Sequence, residues 1–353
     1  MAAERSGGER PVVDLKRALL WGASSVGISV LTIAAIFSLI QGRVSIGDLL
    51  RVGLGTVLVA ACMVVASWMV DGLRLFVLAR AMGGRLSYLE AVRISVAGAF
   101  MAGVTPSDTG GEPLKVYYLH RNGMSIGQAT ASVTLVAMLH TTTRFLLWLL
   151  MPLVAFAFGL SYQFTAPVKV TLGFGLFVYL LFMALLAAST IWPESVVKSV
   201  VRLFNSGIIK KHMSSDLLPK IESTVRRVAH DFREAMMTFR TRGSRVALAL
   251  VVLISVPVFL LRKMDSEISA FQAFSLSMTV YLVMAYVPTP GASGGAEAGT
   301  AVFFSPFLPA RVLGTFVVVW RAVTYYFTLL IGGTLVLLDT LARSYKRAKL
   351  QSS

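Results

Sequence analysis

The sequence predicts an all-α polytopic membrane protein, with about six full transmembrane helices plus two inverted re-entrant helical hairpins, eight membrane segments in all. Three observations carry this. Hydrophobic residues fill 56% of the 353 positions and charged ones only 14%, against about 25% in soluble chains. Mean hydropathy is +0.74. Apolar runs of spanning length recur along the chain, and two of the apolar stretches end in Pro/Gly clusters. This composition excludes a soluble enzyme, a disordered chain and a collagen-like fibre.

The elements follow in order. Residues 1–17 are polar and carry Arg5, Arg10, Lys16 and Arg17. The apolar segment Ala18 to Ile40 is too long for a signal-peptide core and has no small-residue cleavage site followed by a soluble domain, so it is predicted as the first span. Further spans are predicted at Val52 to Val70, about Ile126 to Phe158, Val168 to Trp192, Val246 to Leu261 and Val312 to Leu338. The third is long enough to tilt or project. Asp71 and Arg74 read as interfacial anchors closing the second span at the inner surface, and Trp192 as part of an aromatic belt.

The two broken stretches behave differently. Ala91 to Val104 runs into Thr105-Pro106-Ser107-Asp108-Thr109-Gly110-Gly111, and Ile268 to Val287 into Pro288-Thr289-Pro290-Gly291-Ala292-Ser293-Gly294-Gly295. Short helix-prone pieces follow, Glu112 to His120 and Ala296 to Phe304. Pro and Gly break helices, and broken backbone at membrane depth survives only where protein or a watery cavity satisfies it. Both stretches are therefore predicted to enter the membrane and turn back.

Charge sets the orientation. With both termini inside, six of the 33 Lys and Arg fall outside (Arg43, Arg51, Lys169, Arg262, Lys263 and Arg311). Arg144 and Arg321 fall within spans, and the remaining 25 fall inside. The hairpins then open to opposite faces, as an inverted repeat. The predicted organisation is a cytoplasmic tail (1–17), a transmembrane domain (18–341) with a cytoplasmic insert at 193–245, and a cytoplasmic tail (342–353) in the plasma (inner) membrane. In the insert, Leu218, Ile221, Val225, Val228, Phe232, Ala235 and Phe239 make one helical stripe. It reads as an amphipathic helix on anionic inner-leaflet lipid, and secondarily as a homodimer contact. The net charge of +16 is accounted for by topology and anionic lipid, without a nucleic acid partner. Cys62, the one cysteine, excludes an intramolecular disulfide and a multi-cysteine metal site.

Each break reads as a proline, then a Gly-Gly pair four and five residues on, then a glutamate opening a half-helix: Pro106, Gly110, Gly111, Glu112 and Pro290, Gly294, Gly295, Glu297. Half-helix N-termini offer free N–H groups and the positive end of the helix dipole, suited to an anionic headgroup. Arg144, beside His140, and Arg321 are charges at membrane depth, where function is the default reading. The candidate substrate-binding residues are Glu112, Arg144, Glu297, Arg321, Asp108 and His140. The alternative is that Glu112–Arg144 and Glu297–Arg321 are ion pairs that lock the fold. His140 and Arg144 share a helix face, which is as readily a polar seam as a site. Gly291-Ala292-Ser293-Gly294 matches a serine-protease G-x-S-G, but His120, His140, His212 and His230 all precede Ser293. No metal-ligand spacing and no Walker motif occur, so neither a metal centre, a cofactor nor ATP-driven pumping is expected.

In this order the hairpin motifs resemble the lysylphosphatidylglycerol synthase transmembrane-region family, the flippase-like module of multiple-peptide-resistance factors, which also occurs alone. Pro106 to Lys115 with Ser125 to Arg144, and Pro288 to Glu297 with Arg321 to Tyr325, carry the resemblance, which covers about Lys16 to Leu341. It implies a lipid flippase moving a headgroup-modified phospholipid or related polar lipid. The family's soluble aminoacyl-transferase domain has no counterpart in this sequence, so no enzyme activity is expected. Relatives tied to hopanoid and polyprenyl-linked sugar pathways leave the lipid open. Asp108 stands where the second motif has Ala292, so the halves differ chemically. The expected partners are a membrane lipid with its headgroup in a central cavity, and a second copy or a lipid-synthesis enzyme. The alternatives are a non-transporting accessory protein of lipid or glycan-lipid assembly and, third, a membrane-embedded transferase.

Overall fold

The structure, a computed structural model, describes residues 23–24, 26–35, 46–106, 108–157, 255–264, 267–284 and 287–352, with isolated positions between 177 and 237. Among these residues all regular structure is helical. In chain order the helices are α1 (Val26–Ala35), α2 (Ile46–Arg51), α3 (Leu54–Ala81), α4 (Tyr88–Val104), α5 (Gly111–Arg121), α6 (Ile126–Ala157), α7 (Val256–Lys263), α8 (Ala270–Met284), α9 (Gly295–Phe304), α10 (Ala310–Arg321) and α11 (Phe327–Ser352). One π-helical turn, Ala322–Tyr326, joins α10 to α11.

Serine capping boxes start three of these helices. Ser87 pairs reciprocally with Glu90, Ser125 with Gln128 and Ser269 with Gln272, each serine accepting from the third residue's N–H while that side chain accepts from the serine N–H. These caps fix where both long hairpin arms, α4 and α8, begin.

The polarity of the molecule is inverted relative to a soluble protein. Leu54, Leu58, Val59, Val65 and Met69 stand exposed along α3, whereas Ser132, Ser277, Thr279, Thr300, Glu297 and Arg321 are buried. The buried hydroxyls satisfy themselves one turn back, as Ser132 does on the Gln128 carbonyl and Thr300 on the Ala296 carbonyl. Small polar residues can then line helix contacts without needing partners across them. Leu54–Ala81 and the continuous Ala310–Ala342 stretch, 28 and 33 residues, are each long and apolar enough to cross a membrane.

α6 matches the predicted long third span, and Val312 to Leu338 lies within the α10–α11 stretch. α3 differs from the prediction. It runs unbroken to Ala81, so Asp71 and Arg74 sit about 15 and 10 Å inside its C-terminal end rather than at its close. The first predicted span is represented by α1. The predicted span Val168 to Trp192, most of Val246 to Leu261, and the insert with its apolar stripe and dimer contact lie outside the described residues.

α4 with α5 and α8 with α9 form two helical hairpins. The short arms have 11 and 10 residues, a rise of about 16 and 15 Å, half the ~30 Å hydrocarbon thickness. α3 ties the two halves together. Its first half, through Trp68, packs with α7 to α11, and its second half, from Leu75, packs with α4 to α6. Gly72 lets α3 and α4 touch, because a Cβ there would lie 2.4 Å from Val92 Cγ2 and 2.7 Å from its Cα. Gly72→Ala should cost about 1–3 kcal/mol by forcing these backbones apart. Gly55→Ala, with nothing within 4 Å, should leave thermal unfolding in detergent unchanged or slightly raised.

Candidate functional site

The two breaks meet. Pro106 and Pro290 form an isolated antiparallel bridge, so the α4–α5 and α8–α9 loops lie backbone to backbone. They also share a conformation. Two residues beyond each proline the chain takes a left-handed turn at a non-glycine, Asp108 at φ 56° and Ala292 at φ 51°, a conformation that costs about 1–2 kcal/mol. One residue further on, the Thr109 N–H donates to the Pro106 carbonyl at 3.2 Å and the Ser293 N–H to the Pro290 carbonyl at 3.1 Å. The second glycine of each pair marks a close crossing. A Cβ at Gly111 would lie 2.8 Å from the Gly98 carbonyl, and one at Gly295 2.3 Å from Val287 Cγ2.

Beyond the shared backbone the loops diverge. Gly291, Ala292 and Ser293 are buried, and Glu297 and Arg321 are 0% and 1% exposed. Arg321 Nε lies 2.8 Å from Glu297 Oε1, off the hydrogen-bond axis, so the contact is an ion pair. Arg321 also donates to the Gly291 carbonyl at 3.3 Å and to Ser293 Oγ at 3.1 Å, and its guanidinium carbon stands 4.0 Å over the Tyr325 ring. Glu297 accepts from the Gly294 N–H at 2.8 Å and from the Ser29 hydroxyl, onto which Tyr326 donates at 2.9 Å. The π turn makes this convergence possible. With i→i+5 bonding, the residues four and five beyond Arg321 flank it on one side. Tyr325 reaches further and donates to the Gly103 carbonyl at 3.0 Å, on the last turn of α4. The buried pair is thereby joined to the other hairpin.

The first loop is open. Asp108, Thr109 and Glu112 are exposed, and Glu112 pairs with Lys115 at 3.1 Å with its side chain 48% exposed. Arg144 belongs to α6, but its side chain is outside the described residues, so the Glu112–Arg144 pairing is too. At the two breaks the Gly110 N–H donates to Thr105 Oγ1 at 2.8 Å and the Gly294 N–H to Glu297, while the Gly111 N–H reaches the Asp108 carbonyl at 3.3 Å and the Ala296 N–H the Ala292 carbonyl at 2.8 Å.

His140 lies apart from both loops, in a cluster that the sequence reading did not assemble. Arg74 Nη1 is 2.9 Å from Asp71 Oδ1 and 2.6 Å from His140 Nε2, which is itself 3.0 Å from Asp71 Oδ1. These mutual contacts are why α3 can carry two charges well inside its end. The signal was present in the sequence: an i, i+3 Asp/Arg pair after which the apolar run resumes at Leu75-Phe76-Val77-Leu78. A second pairing was also missed. Asp48 of α2, 7% exposed, receives both Nε and Nη2 of Arg311 at the start of α10.

A model of the family described as lysylphosphatidylglycerol synthase TM region matches residues 22–332. A "UPF0104 membrane protein" of Archaeoglobus fulgidus is 26% identical over 314 residues, covering 86% of this chain and 93% of that protein. No solved structure matches the chain.

Proposed function

The chain belongs to the lysylphosphatidylglycerol synthase transmembrane-region family of membrane proteins, and from that premise we propose that it moves a headgroup-modified phospholipid or related polar lipid between the leaflets of the inner membrane. One observation carries the reading. The same Pro–Gly break occurs twice, the copies bridge at Pro106 and Pro290, and one is exposed while the other is closed over a buried ion pair. A carrier that opens its two halves in turn would look like this when caught at one end of its cycle. In this reading the hairpins are re-entrant from opposite faces, because arms of 11 and 10 residues are too short to cross. Both termini are cytoplasmic, as the charge bias requires. Glu297 and Arg321 hold the headgroup in one state, and Asp108 and Glu112 receive it in the other. No catalytic step is assigned to the chain.

The competing reading is a non-transporting accessory protein, which takes the well-satisfied Glu297–Arg321 pair as a fold lock. Transport separates the two. In liposomes loaded with fluorescent lipids of anionic, zwitterionic and cationic headgroup, outer-leaflet quenching should reveal movement that depends on headgroup and exceeds that of empty liposomes. Equal rates in both preparations would favour the accessory reading. After replacement of the exposed Cys62, Thr109→Cys should react with a polar thiol reagent at least about tenfold faster than Ser293→Cys. Transported lipid should narrow that gap, since ligand binding shifts the populations of the two states. Equal labelling of the two positions in the absence of lipid would count against alternate exposure.

A further inference from the structure

Asp71, Arg74 and His140 sit about 10 to 15 Å inside the end of α3 beside a cavity of about 230 Å³ that no part of the loop junction lines. Arg74 is 8% exposed. Its Nη1 carries two hydrogens and has two acceptors in reach, Asp71 Oδ1 at 2.9 Å and His140 Nε2 at 2.6 Å. Nε2 accepts from Arg74 when it carries no proton. A proton placed on Nε2 would point to Asp71 Oδ1, 3.0 Å away, and would meet the Arg74 N–H donor against donor. Protonation therefore exchanges the partner of His140 from Arg74 to Asp71 and drives the guanidinium off the imidazole.

The cavity supplies the ligand chemistry. The Ser67, Thr324 and Thr328 hydroxyls that line it donate to the carbonyls of Val64, Trp320 and Thr324 at 2.7, 2.7 and 2.6 Å, so they present oxygen acceptors to its interior. Anion donors there come from Arg74, whose planar fork matches phosphate. The hydroxyl oxygens, with the Trp68 and Tyr281 rings, suit hydroxyl or ammonium groups flanking that phosphate. The other described residues that line this cavity are uncharged, among them Thr143 on α6, Tyr281 on α8, Val256 on α7, and Thr324 and Thr328 on the π turn and α11. Lys115 of α5 is paired with Glu112, and Arg144 follows one turn on along α6.

We propose that Asp71, Arg74 and His140 form a second, proton-dependent anion site, in which a proton bound by His140 releases Arg74 to hold a phosphate group. The charges balance. The unprotonated cluster is neutral, the proton makes it +1, and a singly charged phosphodiester restores neutrality, so anion and proton enter the membrane interior together at no net charge. The site deepens the transport reading by coupling the headgroup phosphate to a bound proton, and it rests on that reading only for the lipid source of the phosphate.

The test is calorimetric titration of the full chain in detergent with dioctanoyl phosphatidylglycerol, and separately with sodium phosphate, from pH 5.5 to 8.5. Lipid affinity should fall as pH rises, by at most about tenfold per unit, the limit for one linked proton. One proton should be taken up per lipid, read from buffers of different ionisation enthalpy. His140→Gln, whose amide can still accept from Arg74, should lose the pH slope, and Arg74→Gln should lose the whole proton-linked component of binding. Competition by phosphate would make free phosphate the ligand, and its absence would make it the headgroup; both support the site. A pH-independent affinity in the native chain, or a slope surviving in His140→Gln, overturns it. If His140→Gln moves lipid in vesicles with the native pH profile, this site falls and transport stands. Sloped binding without any movement leaves the site and removes transport.

Discussion

Glu297→Gln should abolish headgroup-dependent lipid movement and destabilise the protein by about 3–5 kcal/mol, the range for removing one member of a buried ion pair. Arg321→Met should match it in transport but cost less stability. The difference lies in what each survivor can do. A stranded Glu297 keeps the Ser29 hydroxyl and the Gly294 N–H, and a carboxylate can shed its charge by taking up a proton. A stranded Arg321 keeps the Gly291 carbonyl, Ser293 Oγ and the Tyr325 ring, but it cannot lose its charge. The double variant Glu297→Gln/Arg321→Met removes both charges and should recover most of the stability in chemical denaturation, because an apolar or neutral replacement of a buried pair is often close to neutral. Its transport should stay lost. A double variant that folds and still moves lipid would make the pair a fold lock and put the headgroup elsewhere.

Much of this architecture was legible because it rests on local rules. Apolar length announced α3, α6 and the α10–α11 stretch. The Pro–Gly breaks could be aligned by eye, down to Asp108 and Ala292, which share an αL turn. What failed to show needed partners distant in sequence. α3 looked finished at Val70 because Asp71 and Arg74 are charged. Their place inside α3 rests on their mutual ion pair and on His140, which approaches both from α6. The symmetry of the two motifs suggested symmetric ion pairs, yet Glu112 pairs with Lys115 one turn on while Glu297 is sealed against Arg321. Sequence symmetry constrains the fold of each half, but it cannot say which half a given conformation closes. The π turn was not read from the sequence, since the partners it aligns, Ser293 for Arg321 and Ser29 for Tyr326, are distant in the chain.

Gly291→Ala should be the most damaging single-methyl change, costing about 2–5 kcal/mol, because two penalties coincide there. The residue lies at φ 58°, where a Cβ costs about 1–2 kcal/mol, and that Cβ would stand 2.2 Å from Cε2, 2.7 Å from Cζ and 2.8 Å from the hydroxyl oxygen of Tyr325, an overpacking of about 1–3 kcal/mol. Tyr325 cannot give way cheaply. Its ring lies under Arg321 and its hydroxyl holds the Gly103 carbonyl, so displacing it uncouples the buried pair from the first hairpin. Gly123→Ala isolates the backbone term, since Gly123 lies at φ 89° with nothing within 4 Å, and thermal unfolding should show only the smaller cost there. In a Tyr325→Leu background the extra cost of Gly291→Ala should shrink towards that of Gly123→Ala, a coupling between neighbours that additive effects would not produce. Additivity would mean that the ring relaxes freely and the two hairpins are not rigidly joined through it. Strong coupling, with lipid movement lost in Gly291→Ala below its unfolding temperature, would mean that the closed loop and the Tyr325–Gly103 tie must move as one body for the other loop to open.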